Sequence, residues 1–334
     1  MKTIGIIGDG GWGTTLSILL FNKGFRIRVW GPSLEYINFL QTNRENKKFL
    51  PQVKIPDEIL FTNDIEIILD NVDYLILAVP SQYMRDVLNK IKKHKLRSLN
   101  LISATKGIET ETLKRMSELI TEILGKARLS VISGPSIAFE VARGLPTAIV
   151  CASDDSEYMR VIQELLSNER LRVYTNSDVI GVELGGALKN IIAIACGISD
   201  GLGFGTNTKA ALLCRGLSEI IRLGVKLGAK PETFSGLSGL GDLATTCISL
   251  NSRNRWLGEE MAKGRKLNTV LSSTEMVVEG VNATKAAYRL SQINNVDMPI
   301  TREVYQVLFE EKSPLKAVSD LMTRKSKEEL EDFS

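Results

Sequence analysis

A few residue groups carry the chemistry this sequence can do. Lys189 lies in the run Gly181-Val-Glu-Leu-Gly-Gly-Ala-Leu-Lys-Asn-Ile-Ile-Ala-Ile-Ala-Cys-Gly-Ile-Ser-Asp200, where Leu184, Leu188, Ile191 and Ala195 recur at helical spacing. Lys189 sits just beside that apolar face. Helical side chains lean toward the N-terminus, so its ammonium reaches back over Gly185 and Gly186. Two adjacent glycines cost a helix about 2 kcal/mol relative to alanine, so they must serve a purpose. Either they admit a small ligand beside the ammonium, or they let another segment pack closely while Lys189 snorkels to solvent. The first reading, a lysine in a pocket, is the expectation. Lys106 stands in the polar loop Ser103-Ala-Thr-Lys-Gly107, and Asp242 ends the glycine-rich turn Gly236-Leu-Ser-Gly-Leu-Gly-Asp242. Ser252-Arg-Asn-Arg255 follows, and an arginine can hold a phosphate bidentately where a lysine cannot; a solvated helix end is the other reading of those arginines. His94 is the only histidine and lies in Lys92-Lys-His-Lys95, expected to be a solvated helix end. Proton transfer therefore falls to a lysine, whose pKa burial or a second cation can lower toward neutrality.

These groups need elements to position them. Thr3–Ile7 is a short β-branched run, followed by Gly8-Asp-Gly-Gly-Trp-Gly13, an apolar helix over 14–22 and a second strand over 26–30. Strand, GxGxxG, helix and strand within about thirty residues make the dinucleotide-binding unit. Gly8 permits the tight turn, Gly10 lets backbone amides approach a pyrophosphate, and Gly13 lets the helix pack. The helix N-terminus adds partial positive charge. The carboxylate that usually ends the second strand is missing, since Trp30-Gly-Pro-Ser33 stands there with no arginine either. NAD versus NADP is left open.

Further strands are expected at 74–79, 100–103, 129–133, 147–151 and 171–175, with helices over 82–93, 112–124 and 156–166 between most of them. That alternation predicts an α/β fold: a doubly wound, mostly parallel Rossmann-type sheet with ligands at the carboxyl ends of its strands. The loops 103–107 and 133–136 would face the cofactor cleft. From Ser177 onward strand signals almost vanish, and helices are expected over 209–223, 255–263, 283–292, 301–309 and 314–321. The division expected is an NAD(P)-binding domain over 1–177 and an all-helical substrate and catalytic domain over 178–334, with a charged tail from Lys325.

Composition excludes other classes. The chain has 334 residues, 43% hydrophobic and 24% charged, enough for two domains and a substantial core. A net charge of +3 without basic runs interleaved with aromatics argues against nucleic acid. Cys151, Cys196, Cys214 and Cys247 lack CxxC spacing and read as reduced core cysteines, so neither disulfides nor a metal site is expected. The N-terminus turns glycine-rich too early for a signal peptide, and the most apolar stretch, 190–199, is about half of a membrane span. A cytoplasmic enzyme is expected.

The segments GDGGWGTTL, SATKGIE, ISGPSIAFEVARGLPTA, VELGGALKNIIAIACGISDGLGFGTN, GLSGLGDLATTC, NSRNR, MVVEG and MPIT stand in one order over nearly the whole chain. In these the chain resembles the bacterial-type NAD(P)-dependent sn-glycerol-3-phosphate dehydrogenases. The resemblance implies reversible reduction of dihydroxyacetone phosphate to sn-glycerol 3-phosphate for phospholipid synthesis, a homodimer, and an active site between the two domains. It implies that Lys189 is the proton donor and acceptor. Lys106, Gly134, Ser136, Lys189, Asn190, Asp242, Thr246, Ser252, Arg253 and Asn254 match substrate positions. Gly8, Gly10, Gly11, Trp12, Gly13, Lys106, Ala138, Arg253, Val277 and Glu279 match positions for NAD or NADP. The chain departs from the family pattern at Gly11, where serine is more frequent, and at Pro32-Ser33, where a basic or imidazole residue is common. A related two-domain reductase of hydroxy or sugar acids is the alternative enzyme, disfavoured by the SRNR and GLSGLGDL segments. A non-catalytic nucleotide sensor would leave Lys106, Lys189 and Asp242 without a purpose.

Overall fold

The computed structural model describes residues 1–94, 100–326 and 328–329. The chain divides into two units, one of residues 1–105 and 116–179, the other of residues 106–115 and 180 onward.

The first unit is built on an eight-stranded sheet. Its strands come from β1 (Thr3–Ile7), β2 (Arg26–Trp30), β5 (Leu60–Thr62), β6 (Tyr74–Leu77), β7 (Asn100–Ser103), β8 (Arg128–Ser133), β9 (Thr147–Ala152) and β10 (Leu171–Asn176). The order across the sheet is β10-β9-β8-β7-β6-β1-β2-β5, parallel except where β8 meets β9. The short β3 (Glu45–Asn46) and β4 (Leu50–Lys54) form a separate antiparallel hairpin. Among the described residues the α-helices of the unit are α1 (Gly11–Asn22), α2 (Leu34–Asn43), α3 (Ile65–Leu69), α4 (Met84–Lys92), α5 (Met116–Leu124), α6 (Ala138–Ala142) and α7 (Ser156–Leu166). Two apolar clusters form its core. One contains Ile4, Ile6, Leu16, Val29 and Ile76, the other Ile7, Leu75, Leu77, Leu88 and Leu101. Alternate residues of β1 and β6 thus fall in different clusters, as the two-residue period of a doubly covered sheet requires. The mostly parallel sheet agrees with the sequence reading. The stretch 31–65 carries α2 and three short strands that it passes over: β3 and β5, of two and three residues, are too short for a readable period, and in β4 the exposed pair Pro51-Gln52 breaks the alternation.

The second unit is helical: α8 (Val179–Gly201), α9 (Thr206–Lys226), α10 (Asp242–Ile248), α11 (Arg253–Ala262), α12 (Leu267–Ser272), α13 (Glu279–Asn294), α14 (Pro299–Phe309) and α15 (Pro314–Met322). α8 is long and apolar enough to cross a bilayer by length and hydropathy, longer than the stretch 190–199 suggested. Yet 89% of its most apolar window is buried. It is the central core helix, apolar all round because other helices surround it. A π-helical turn over 237–241 leads into α10, whose first residue is Asp242. The loop 106–115, closed on itself by the Ile108–Arg115 bridge, joins this unit through Ile108, which packs in its core, and a 2.6 Å ion pair between Arg115 and Glu183.

Two local expectations change. Cys151, Cys196 and Cys247 are buried, but Cys214 on α9 is exposed. His94 is half-buried, with its Nδ1 3.8 Å from Glu66. The tail expected from Lys325 lies largely outside the described residues.

Candidate active site

The second unit holds a lysine–aspartate–lysine cluster. Lys189 is 7% exposed and Asp242 1% exposed. Lys189 Nζ donates to Asp242 Oδ1 at 2.5 Å and to Thr246 Oγ1 at 2.7 Å. Lys106 Nζ donates to the other carboxylate oxygen at 2.7 Å. Thr246 lies one turn after Asp242 on α10 and donates its own hydroxyl to the Asp242 carbonyl at 2.7 Å, which turns the oxygen lone pairs toward Lys189. One carboxylate thus faces two ammonium groups. Burial lowers the pKa of Lys189 to about 8; the charge of Asp242 opposes that shift and the charge of Lys106 adds to it.

Gly185 has a definite purpose in this arrangement. A Cβ there would lie 2.5 Å from the Ser238 carbonyl oxygen and 3.0 Å from its carbon. The missing side chain lets the turn before Asp242 press against α8. The close-packing reading of that glycine is therefore correct, and the lysine nonetheless stays buried. Close approach at Gly185 brings Asp242 within reach of Lys189 one turn later.

Asn190, next to Lys189, accepts from the Asn254 amide at 2.8 Å, and the Asn254 oxygen accepts from the Gly280 N–H at 2.9 Å. Both asparagines are buried. Asn254 therefore ties α8 to the start of α13, where Glu279 is the first residue. Ser252 caps α11 by accepting from the Arg255 N–H. The neighbouring Arg253 is exposed and donates to the Val277 carbonyl at 3.0 Å. Arg255 is not a free helix end, since its Nε meets Asp200 at 2.6 Å. Among the described residues, no three His, Cys, Asp or Glu side chains form a metal cluster.

The first unit holds the glycine-rich turn between β1 and α1. Gly8 has φ +126, and a Cβ there would lie 2.5 Å from the Ala78 carbonyl oxygen. A Cβ on Gly13 would overlap the Gly8 carbonyl, so this glycine lets α1 close onto the turn itself. At Gly10, the N-cap of α1, a Cβ would meet nothing within 4 Å. That open backbone at a helix N-terminus without acidic residues in its first turn fits a dinucleotide pyrophosphate. Gly11 departs from the family serine for a visible reason: a Cβ would lie 2.6 Å from the Phe49 carbonyl oxygen. Ala138 opens α6, its carbonyl accepts from Thr15 at 3.0 Å, and its methyl lies on the Gly11 side. Trp12 is half-buried against the core. Gly134, with φ +116, and Ser136 follow β8, and the Ser136 hydroxyl donates back to the Gly134 carbonyl at 2.9 Å.

Asn46 escapes sequence reasoning altogether. Fully buried, it donates to the Asp9 carbonyl at 2.8 Å and to Thr14 Oγ1 at 2.7 Å, and accepts from the Tyr36 hydroxyl at 2.8 Å. It clamps the glycine-rich turn from more than thirty residues away. No local signal marks it.

A nucleotide-type glycine turn and a buried lysine–carboxylate cluster now stand in one chain. Residues 3–159 match the family described as NAD-dependent glycerol-3-phosphate dehydrogenase N-terminus, and residues 178–319 match its C-terminus. The chain belongs to the NAD-dependent glycerol-3-phosphate dehydrogenase family. Within that family it is 50% identical over 327 residues to the glycerol-3-phosphate dehydrogenase [NAD(P)+] of Thermoanaerobacter sp., with 98% of each chain covered. It is 48% identical to the protein of that name from Geobacillus kaustophilus, covering 100% of this chain and 98% of the relative. The crystal structure of glycerol-3-phosphate dehydrogenase from Coxiella burnetii superposes with a TM-score of 0.94 at 37% identity, over 97% and 99% of the two chains. A ketopantoate reductase from Ralstonia eutropha shares the fold, with a TM-score of 0.63 at 10% identity.

Proposed function

We propose that this member of the glycerol-3-phosphate dehydrogenase family catalyses the reversible, NAD(P)H-dependent reduction of dihydroxyacetone phosphate to sn-glycerol 3-phosphate. The observation that carries the reading is the buried Lys189 ammonium, aimed by Asp242 and Thr246 and titrating near neutrality. Reduction of a ketone leaves an alkoxide that must gain a proton, and a lysine with a pKa of about 8 can give that proton and take it back. When bound, the reduced nicotinamide supplies the hydride. Asp242 orients Lys189 and keeps it charged, and Lys106 adds positive charge where the alkoxide develops. Arg253 and Ser252, with Asn254 and Asn190 behind them, are assigned to the substrate, and the phosphate is held at a distance from the reacting carbon to orient it. Gly134 and Ser136 are assigned to the same substrate. Gly8, Gly10, Gly11, Trp12, Gly13 and Ala138 are assigned to the cofactor, as are Lys106, Arg253, Val277 and Glu279. Phospholipid synthesis as the destination of the product, a homodimer and a cytoplasmic location follow from the same family reading.

Lys189→Ala tests the assignment. Turnover of dihydroxyacetone phosphate should fall by roughly 10²–10⁴, the usual contribution of general acid–base catalysis. NADH affinity, titrated by its fluorescence, should stay within about twofold, since no cofactor role is assigned to that residue. Near-normal turnover would remove Lys189 from the chemistry.

A further inference from the structure

The second strand of a dinucleotide fold normally ends in an acid that accepts from the adenosine ribose hydroxyls. Here β2 ends at Trp30 and glycine follows, with no carboxylate in Gly31-Pro32-Ser33. The place beside Gly31 is nonetheless acidic. A Cβ built on Gly31 would overlap the carboxylate of Asp9, lying 2.5 Å from its carboxyl carbon, and would stand 2.9 Å from Ile37 Cδ1. Gly31 has no positive φ, so its missing side chain is not a backbone requirement. What the glycine provides is room for Asp9.

The backbone of the turn that carries this carboxylate is itself anchored. The Asp9 carbonyl accepts from Asn46 at 2.8 Å and from Thr14 Oγ1 at 3.4 Å. The preceding Gly8 N–H donates to the Trp30 carbonyl at 2.9 Å, joining the turn to the end of β2. Burial raises the Asp9 pKa, while a backbone hydrogen bond and the charge of Lys48 oppose that shift. Lys48 itself lies over the Tyr36 and Phe49 rings.

We propose that Asp9 is the cofactor-selecting residue of this chain: its carboxylate replaces the missing strand-end acid, accepts from the adenosine 2′-hydroxyl, and repels a 2′-phosphate. The inference rests on the dinucleotide reading of the glycine turn and adds to it a preference for NAD(H) over NADP(H). A carboxylate reaches the strand end from the glycine turn, and the glycine at position 31 is its counterpart.

Equilibrium titration of NADH and NADPH fluorescence tests this on the full-length wild type, Asp9→Ser and Gly31→Ala. The wild type should bind NADPH at least about tenfold more weakly than NADH, because a fixed carboxylate opposes the added phosphate. Asp9→Ser should cut that ratio by about tenfold, mainly by tightening NADPH. Gly31→Ala, which displaces the carboxylate without removing it, should move the ratio in the same direction, and adding it to Asp9→Ser should change little further. A wild-type ratio near one, a preference for NADPH guided by Lys48, or a ratio unmoved in folded Asp9→Ser overturns the proposal and leaves the reaction assignment standing. If Gly31→Ala leaves the ratio intact while Asp9→Ser changes it, the pairing with position 31 is wrong. Failure of the wild type to bind either nucleotide would defeat both this inference and the proposed function.

Discussion

At the scale of single residues, Lys189 and Asp242 are each expensive to bury alone and acceptable together. A lone buried ammonium would lose its proton, and a lone buried carboxylate would gain one. Their 2.5 Å contact, with Lys106 on the second carboxylate oxygen, keeps a charged cluster in a largely buried site. Burial leaves Lys189 near pH 8, and that sets a pH dependence whose sign can be worked out. Ketone reduction needs the ammonium, so its kcat/KM should hold below pH 8 and fall tenfold per unit above it. Alcohol oxidation needs the neutral amine, so its kcat/KM should rise through the same value. Lys106→Gln removes one of the influences that lower this pKa, and the descending limb should move to higher pH. A profile for reduction that is flat from pH 7 to 10, under conditions where chemistry limits the rate, would contradict the role of Lys189. The three residues that meet here were each singled out by type and neighbourhood in the sequence. Their meeting was expected from the family resemblance and the chemistry alone, because no local pattern relates position 106 to position 242. Thr246, which completes the cluster, is marked only by the family resemblance and by its place one turn after Asp242.

At the scale of elements, the informative contacts are those that a helix makes to another's end. α14 begins at Pro299 after Met298, a residue with no side-chain oxygen to cap the first turn. Glu219 from α9 does that work. It accepts from the Ile300 N–H at 2.5 Å, and from the Thr301 N–H and hydroxyl at 3.0 Å each. The carboxylate is 1% exposed, and burial pushes its pKa up to about 7 against the opposing hydrogen bonds. Glu219→Ala leaves three buried donors unmatched and should cost roughly 2–4 kcal/mol in chemical denaturation. Because the folded pKa lies above the ordinary carboxyl value, the native state holds more protons than the unfolded chain between about pH 4.5 and 7. This group's contribution is therefore fully present at the acid end and declines as pH rises through that window. Glu219→Gln should flatten that decline, and a wild-type slope retained unchanged in the variant would contradict the assignment. The helical periods of α9 and α14 were readable from the sequence, while the cap between them, some eighty residues apart in the chain, was not. In the β1–α1–β2 unit both strands were readable to the residue and the helix except for its first turn, which begins at Gly11 and not Thr14, because glycines, β-branched runs and an apolar helix follow each other without a break. Asn46 and Asp9 were not, since one acts through a non-local hydrogen bond and the other sits among glycines that draw the eye.

At the scale of the whole molecule, a nucleotide-type sheet and a helical unit are encoded in succession, and the change of period near Ser177 marks the transition. One departure is physical. The stretch 106–115 leaves the sheet after β7 and belongs with the helices, carrying Lys106 to Asp242. Periodicity cannot report such an excursion, because a ten-residue loop has none. The proposed reaction is the reduction of a phosphorylated three-carbon ketone. The most direct test is NADH oxidation followed at 340 nm, with dihydroxyacetone phosphate as substrate and unphosphorylated dihydroxyacetone as control. Removing the phosphate forfeits the binding energy that orients the carbonyl, so kcat/KM should fall by about 10³ or more. Turnover that is fast with the phosphate ester and barely measurable without it is the expected result. Equal turnover of the two ketones, or none with the ester in protein that binds NADH, would contradict it.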